Sequence, residues 1–87
     1  MSPPAIVVYV TGWCPYCQRV RGLFTKKGLE FTEIDVDEDG KLREEMIARS
    51  GRRTVPQIFI GDKHVGGCDD LFALHGSGEL DRLIQGA

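Results

Sequence analysis

A strand–helix–strand pattern near the start of the chain restricts most strongly how this protein can fold. Residues 6–10, Ile-Val-Val-Tyr-Val, are apolar and mostly β-branched, which predicts a central strand buried on both faces. Residues 15–27 predict a helix with Pro15 in its first turn and Gly28 just after its end. Residues 31–36 alternate acidic with apolar or neutral side chains, as a half-exposed strand does. Because such crossovers are right-handed, the two strands should lie parallel in one sheet.

The rest of the chain predicts a second helix, a β-hairpin and further helical turns. Acidic residues at 37–39, followed by Gly40, suit the start of the second helix, and Gly51 ends it. The later segments, in chain order, are a strand at 57–60, a turn at 61–63, a short antiparallel strand from 64, a helix opened by Asp69 and Asp70, a break at 76–78 and a last short helix at 80–84. We therefore expect an α/β fold, with one four-stranded mixed sheet flanked by helices on both faces.

Size and composition limit the classes of protein to which this sequence can belong. Its 87 residues predict a single domain over residues 1–87. The net charge of −2 argues against a dedicated nucleic-acid-binding protein, which is normally basic. The longest apolar run, residues 5–10, is too short to span a membrane. Residues 1–4 do not resemble a secretory signal, and three cysteines do not suit a secreted disulfide scaffold, so we expect a cytoplasmic protein.

The strongest chemical signal is the pair Cys14 and Cys17, separated by Pro15 and Tyr16. If the helix begins at Pro15, Cys14 is its N-cap residue, and its sulfur faces unpaired backbone N–H groups and the positive end of the helix dipole. Both effects favour the thiolate, which is the attacking species. We therefore predict that Cys14 is the catalytic nucleophile. Cys17, one turn further on and less exposed, is predicted to attack and resolve a mixed disulfide formed on Cys14.

The alternative use of two cysteines at this spacing is half of a zinc site. Zinc usually takes four ligands, and only Cys68, His64 and His75 remain as further Cys or His ligands. None of them forms a second paired motif. The strand–helix–strand context therefore favours dithiol redox chemistry, and we expect no metal ligands here.

A second signal is Thr54-Val55-Pro56, directly before the strand at 57–60. An ordinary trans proline is the common case, because only about 5–6% of X–Pro bonds are cis. A cis bond at Pro56 would instead turn the Val55 backbone outward beside the dithiol. The N–H and C=O of Val55 would then pair with an extended thiol peptide, as in strand addition.

A third signal is Gly-Gly-Cys-Asp-Asp at residues 66–70. Asp69, at a helix start, can accept hydrogen bonds from an ammonium group, and free N–H groups there can bind a carboxylate. A ligand with a free α-amino acid end presents both groups. The spacing fits equally well an interpretation in which Asp69 or Asp70 is simply the N-cap residue of the helix. Cys68 is expected to pack as a small apolar residue.

Arginines and an aromatic residue complete the set of candidates. Tyr16 lies within the dithiol motif and is expected either to cover a bound thiol peptide or to fill space. Any of four arginines could hold a carboxylate, although a solvated surface is the default for each alone. These are Arg43, on the second helix, and Arg49, Arg52 and Arg53, which flank the proline loop.

Taken together, the motifs at 14–17, 54–60 and 66–70 resemble those of dithiol glutaredoxins, and the short bacterial glutaredoxin 3 type in particular. The resemblance covers nearly the whole chain. It implies the thioredoxin fold, a cis Pro56, and glutathione-dependent reduction of protein disulfides and of protein–glutathione mixed disulfides. Glutathione would be a co-substrate, with no tightly bound cofactor. The implied glutathione contacts are Cys14, Tyr16, Arg43, Val55, Pro56, Cys68 and Asp69.

The resemblance also implies partners and exposes one departure. The implied partners are oxidised or glutathionylated proteins, with ribonucleotide reductase as one candidate, and we expect a monomer. Many family members carry lysine three residues before the first cysteine, where this chain has Thr11. A cation that would help to hold the thiolate and the glycine carboxylate is therefore missing. The helix terminus or an arginine between 49 and 53 is our hypothesis for compensation.

Two other functions remain open from the sequence. One is a glutaredoxin-like electron donor that a thioredoxin reductase recycles without glutathione; the Asp69 region and the arginines argue against it. The other is an iron–sulfur binding module, with a cluster shared between two chains through Cys14 and external glutathione thiols. Pro15 and a resolving Cys17 argue against that second function.

Overall fold

The computed structural model describes residues 4–85, within which the chain forms four strands and four helices. The ends of the expected 1–87 domain, and most of the segment compared above with a secretory signal, lie outside this range. The elements are β1 (Ile6–Val10), α1 (Pro15–Lys26), β2 (Thr32–Asp35), α2 (Gly40–Ser50), β3 (Gln57–Ile60), β4 (Lys63–Gly66), α3 (Cys68–Ser77) and α4 (Glu79–Ile84). No helix of the described part is long and apolar enough to cross a membrane.

The strands form one mixed sheet in the order β2-β1-β3-β4. β1 is parallel to β2 and antiparallel to β3, so that Val8 lies opposite Glu33 on one side and Ile58 on the other. β4 runs antiparallel to β3, with an irregularity in the pairing between Ile58 and Phe59. This arrangement confirms the predicted four-stranded mixed sheet and places β1 in its interior.

The sheet carries an apolar core on each face because side chains alternate along β1. Val8 and Val10 point to the face covered by α1, α3 and α4, whereas Tyr9 points to the face covered by α2. The buried members of the first core are Ile6, Val8, Val10, Cys17, Val20, Leu23, Phe24, Ile58, Ile60, Cys68, Leu71 and Leu80. Those of the second are Tyr9, Val36, Met46 and Phe59. Helices therefore flank both faces, as the sequence predicts.

The helix boundaries follow the predicted signals closely. α1 begins at Pro15 and ends at Lys26, one residue before the predicted end, and Gly28 follows with φ of 70°. The Asp39 carboxylate caps α2 by accepting a hydrogen bond from the Lys41 N–H at 2.8 Å. Gly51, with φ of 72°, ends α2 because glycine reaches the left-handed region without a steric penalty.

Three boundaries differ from the sequence prediction. β2 is shorter than residues 31–36, because the Asp35 carboxylate accepts the Asp37 N–H at 2.8 Å and turns the chain. β4 begins at Lys63 and not at residue 64, since Lys63 already pairs with β3. The break expected at 76–78 falls at Gly78 alone, whose φ of 84° separates α3 from α4.

Candidate active site

Cys14 lies where the chain leaves β1 and enters α1, at the carboxyl end of an interior strand. Its backbone is extended and its carbonyl accepts the Gln18 N–H at 3.0 Å. Its sulfur accepts the backbone N–H of Cys17 at 3.3 Å, which is the contact of an N-cap side chain. The side chain is only half-buried. The prediction that Cys14 is the N-cap residue of α1 is therefore confirmed, and its sulfur is within reach of a substrate.

The other two cysteines are buried free thiols. Burial, and then a hydrogen bond with Cys14, raise the pKa of Cys17 to about 12. Burial also raises the pKa of Cys68, which packs in the first core as a small apolar residue. Both thiols are therefore protonated at neutral pH. Cys14 is the one partly exposed cysteine of the chain, which is consistent with its predicted role as the nucleophile.

The raised pKa of Cys17 predicts that reduced protein loses stability in alkaline solution. Above the ordinary pKa of 9.0, the unfolded chain releases this proton while the folded chain keeps it up to about pH 12. The free energy of unfolding should therefore fall as pH rises from about 9 towards about 12. Urea titrations of reduced protein at several pH values measure this fall. The dependence of the free energy of unfolding on pH should be weaker in Cys17→Ala. An equal dependence in that variant would contradict the raised pKa of Cys17.

A shallow pocket of about 220 Å³ lies beside the dithiol. It is lined by Tyr16, Arg52, Thr54, Val55, Pro56, Gly67, Cys68, Asp69 and Asp70. The fold thus brings together five of the six residues proposed above to accompany the dithiol in holding glutathione, from three separate parts of the chain. The exception is Arg43, which does not line the pocket.

A larger cleft, of about 820 Å³, opens at the other end of β1. Its lining includes Ile6, Gly28, Phe31 and Ile84 but no cysteine. Since Cys14, the predicted nucleophile, lies at the opposite end of the strand, we place the candidate active site at the smaller pocket. No group of three or more His, Cys, Asp or Glu side chains among residues 4–85 is arranged to hold a metal ion.

The loop before β3 contributes exposed backbone to the pocket. The Val55–Pro56 peptide bond is cis, which confirms what the resemblance implies. Val55 is half-buried, and within residues 4–85 neither its N–H nor its C=O has a hydrogen-bond partner. Unpaired backbone groups at a pocket are free to bind the backbone of a ligand.

The start of α3 shows that the N-cap interpretation of the acidic pair is wrong, because neither Asp69 nor Asp70 is the N-cap residue. Its N-cap is Gly67, and the Asp70 carboxylate reaches back to accept the Gly67 N–H at 2.9 Å. That hydrogen bond, and then the Arg52 guanidinium at 3.1 Å, lower the pKa of Asp70. Asp69 is exposed, and within the described range its carboxylate makes no hydrogen bond or ion pair. Asp70 therefore stabilises the helix start, and Asp69 is left open to a ligand.

Gly66 allows this close approach of Asp70 to the strand that precedes it. Its φ is 118°, a conformation that strains any residue with a side chain. A Cβ atom at this position would also overlap the Asp70 carboxylate. Glycine is thus required here by both backbone geometry and space.

The arginines divide into different environments. Arg43 pairs with Asp37 at 2.9 Å, away from the pocket. Arg49 donates to the Tyr9 hydroxyl at 2.7 Å and lies 4.2 Å from the centre of the Phe59 ring. Arg52 alone of the four lines the pocket, where it pairs with Asp70. Sequence reasoning could place Arg52 near the proline loop but could not separate it from its neighbours.

Two aromatic side chains are exposed beside Cys14. Trp13 is 77% exposed and Tyr16 is 55% exposed, and they are the large apolar side chains that the described residues leave in solvent. A side chain that is mostly in solvent fills little space inside the fold, and Tyr16 also lines the pocket, so its position suits contact with a ligand better than space-filling. The observation favours the first of the two roles that the sequence left open for Tyr16.

The reactive group nearest to Cys14 along α1 is a second thiol, that of Cys17, one turn away. Two thiols at this spacing suit exchange between thiols and disulfides. The mixed sheet of order β2-β1-β3-β4, with helices on both faces, carries this dithiol at the end of an interior strand. The chain is therefore a thiol–disulfide oxidoreductase of the thioredoxin fold.

Comparison with known proteins narrows the class to one family. The family model described as Glutaredoxin matches residues 6–65, and the chain belongs to the glutaredoxin family. It is 52% identical to a glutaredoxin of Pseudomonas aeruginosa, over 94% of this chain and 98% of that protein. It is 51% identical to glutaredoxin 3 of Escherichia coli strain K12, over 92% of this chain and 96% of that protein. A crystal structure of a buckwheat glutaredoxin–glutathione complex superimposes with a TM-score of 0.86 and 34% identity, over 94% of this chain and 77% of that one.

Proposed function

We propose that this protein reduces protein–glutathione mixed disulfides and protein disulfides in the cytoplasm, with glutathione as the reductant. The observation that carries the proposal is the pocket beside Cys14, whose unpaired groups match a short peptide with charged ends. The glutathione complex of the buckwheat relative, which shares this fold, adds support.

A peptide thiol can satisfy the free groups of the pocket in one orientation. The backbone of its cysteine pairs with the N–H and C=O of Val55, which places its sulfur beside Cys14. The α-amino group of its γ-glutamyl residue binds the Asp69 carboxylate, and the neighbouring carboxylate binds free N–H groups in the first turn of α3. The glycine carboxylate binds the Arg52 guanidinium, which has N–H groups to spare after pairing with Asp70. Arg52 thus supplies the positive charge that Thr11 does not.

The first chemical step forms a disulfide on Cys14. Its thiolate attacks the glutathione sulfur of a mixed disulfide, the substrate cysteine leaves as a thiolate and takes up a proton, and Cys14 is joined to glutathione. A second glutathione thiolate then attacks the glutathione sulfur of that adduct, which returns Cys14 as a thiolate and releases oxidised glutathione. When the substrate is instead a protein disulfide, two glutathione molecules are oxidised for each disulfide that is reduced.

Cys17 provides the second route out of the adduct. Burial is the largest cause of the raised pKa of Cys17, and the hydrogen bond and electrostatic interaction with Cys14 add to it. The two contributions from Cys14 end when Cys14 enters a disulfide, so Cys17 releases its proton more readily at that stage than in the reduced protein. Its thiolate attacks the Cys14 sulfur, expels the bound thiol and closes the Cys14–Cys17 disulfide.

The direct test is reduction of a glutathionylated peptide and of a protein disulfide, coupled through glutathione reductase and NADPH. We expect turnover of both substrates that depends on glutathione. Turnover supported by thioredoxin reductase but not by glutathione would contradict the proposal and favour the electron-donor alternative. Visible absorbance of protein purified without oxygen would identify the iron–sulfur alternative.

Arg52 and Arg43 form a matched pair that tests the carboxylate site. Arg52→Ala should raise the KM for a glutathione mixed disulfide by about three- to tenfold, because an exposed charge-assisted hydrogen bond is lost. Arg43→Ala makes the same substitution away from the pocket, where the arginine is paired with Asp37. This variant should change KM by less than about twofold. Initial-rate kinetics on both variants give the comparison. The opposite ranking would favour the glutathione contact that the family resemblance implies for Arg43.

A further inference from the structure

One polar side chain in the described part of the chain is fully buried, and it lies next to the pocket. Gln57, the first residue of β3, has 0% of its surface exposed. Burial of an amide is unfavourable unless hydrogen bonds satisfy its polar atoms. No buried side-chain nitrogen or oxygen among residues 4–85 lacks a partner, so the Gln57 amide is satisfied.

The partners of this amide lie on both sides of it. The Gln57 Nε2 donates to the Thr54 carbonyl oxygen at 3.0 Å and to the Thr54 Oγ1 at 3.1 Å. The Gln57 Oε1 lies 2.8 Å from the His64 Nε2, on β4. Because a carbonyl oxygen can only accept, the amide NH₂ group must face Thr54, and Oε1 must face His64. His64 Nε2 therefore carries a hydrogen and donates it to Gln57.

These contacts act on Val55 through one peptide unit. The Thr54 carbonyl and the Val55 N–H belong to the same planar peptide unit. This peptide is trans, since the cis bond found within residues 4–85 is the following one, between Val55 and Pro56. In a trans peptide the C=O and N–H point in opposite directions. Since the Thr54 C=O points to Gln57 in the core, the Val55 N–H points away from the core. This is the unpaired N–H that Val55 presents at the pocket.

We propose that Gln57 is a positioning residue for the reaction, which holds the Val55 N–H in the direction that receives the thiol ligand, and that His64 sets the orientation of the Gln57 amide. The inference rests on the proposed binding of glutathione at Val55. A leucine of similar volume would fill the same core space but would leave the Thr54–Val55 peptide free to rotate. Without the His64 donor, the amide could turn its oxygen towards the Thr54 carbonyl, and the two acceptors would repel each other.

Steady-state kinetics of Gln57→Leu and His64→Phe, with a glutathionylated peptide as substrate, test the proposal. We expect the KM for the peptide to rise by about fivefold in each, the effect of losing a typical hydrogen bond, while kcat changes by less than about twofold. The phenylalanine can still stack on Phe59, as the His64 ring does at 4.9 Å, but cannot donate. His64→Gln restores a donor and should recover most of the KM change. The rate at which iodoacetamide alkylates Cys14 should be unchanged in all three variants.

A second readout does not depend on turnover. In ¹⁵N relaxation measurements on the ligand-free protein, the Val55 amide should become more mobile in Gln57→Leu, whereas the amide of Val8 in β1 should not. Ile58→Val, which alters the adjoining buried residue of β3 without touching the amide, is the matched control and should move neither KM nor Val55 mobility. An unchanged Val55 amide in Gln57→Leu, or an equal KM change in the Ile58 control, would overturn the inference. If wild type fails to use glutathione while the Val55 amide still responds to Gln57→Leu, the proposed function fails, and what stands is that Gln57 orients the Val55 N–H.

Discussion

Replacement of Cys14 by serine is expected to reduce turnover of both mixed disulfides and protein disulfides by at least about a thousandfold, because the attacking atom is removed. The two other cysteines cannot substitute. Cys17 is buried with a pKa raised to about 12, and burial keeps Cys68 protonated as well. Coupled assays with glutathione and NADPH, on wild type and variant at equal concentration, measure the loss.

The serine variant should keep its fold, so the loss can be assigned to chemistry. Serine is among the best N-cap residues, and its hydroxyl oxygen can accept the Cys17 N–H in place of the Cys14 sulfur. Thermal unfolding followed by circular dichroism should therefore change little. Turnover within tenfold of wild type would contradict the assignment of Cys14 as nucleophile. A large fall in melting temperature would instead show that the sulfur has a structural role that the serine oxygen cannot fill.

Replacement of Cys17 by serine is expected to separate the two substrate classes. Mixed disulfides with glutathione should still be reduced, because a second glutathione can attack the Cys14 adduct from solution. Protein disulfides should be reduced at least about 100-fold more slowly, because the resolving thiol one turn away has a far higher effective concentration than any external thiol. Parallel assays with a glutathionylated peptide and a protein disulfide give the ratio within one preparation.

The trapped intermediate provides a direct measurement. In the Cys17→Ser variant, a disulfide between Cys14 and the substrate protein should accumulate and appear on non-reducing gels and in intact-mass spectra. Cys68→Ser is the matched control, since it removes the third thiol but keeps the backbone of the α3 first turn, and it should not trap substrate. Equal loss of both activities in Cys17→Ser would mean that Cys17 supports the site in some other way than by resolving disulfides.

The dithiol end of the site could be predicted from the sequence because its causes are local. The helix that starts at Pro15 requires an N-cap residue, and the residue before it is Cys14. The next cysteine lies one turn further on, on the side that faces the core. The order of strands and helices followed in the same way from periodicity and from glycines such as Gly28 and Gly51. Contacts within a few residues of one another are determined by the backbone geometry of that segment alone.

The pocket side of the candidate site was predicted less completely. The roles of the two acidic residues at 69 and 70 could not be separated by spacing, since both stand at the start of α3. Their difference arises from Arg52 and from the Gly67 N–H, which draw in Asp70 and leave Asp69 free. Arg43 and Arg52 are likewise distinguished only by their neighbours in space. The Gln57 amide gave no signal in the sequence beyond a polar residue at the edge of an apolar strand.

The sequence by itself determined the elements and the placing of a cysteine at a helix start, since each depends on residues within one turn or one strand. The mixed sheet was predicted from the order of those elements and the handedness of the first crossover. The tertiary structure alone decided which arginine reaches the pocket, which acid is free to bind a ligand and where the backbone of Val55 points. These outcomes depend on side chains from β3, β4, α3 and the proline loop that meet only after the chain has folded. Partners 18 residues apart in sequence, such as Arg52 and Asp70, are brought together by the pairing of whole strands, which no local pattern encodes.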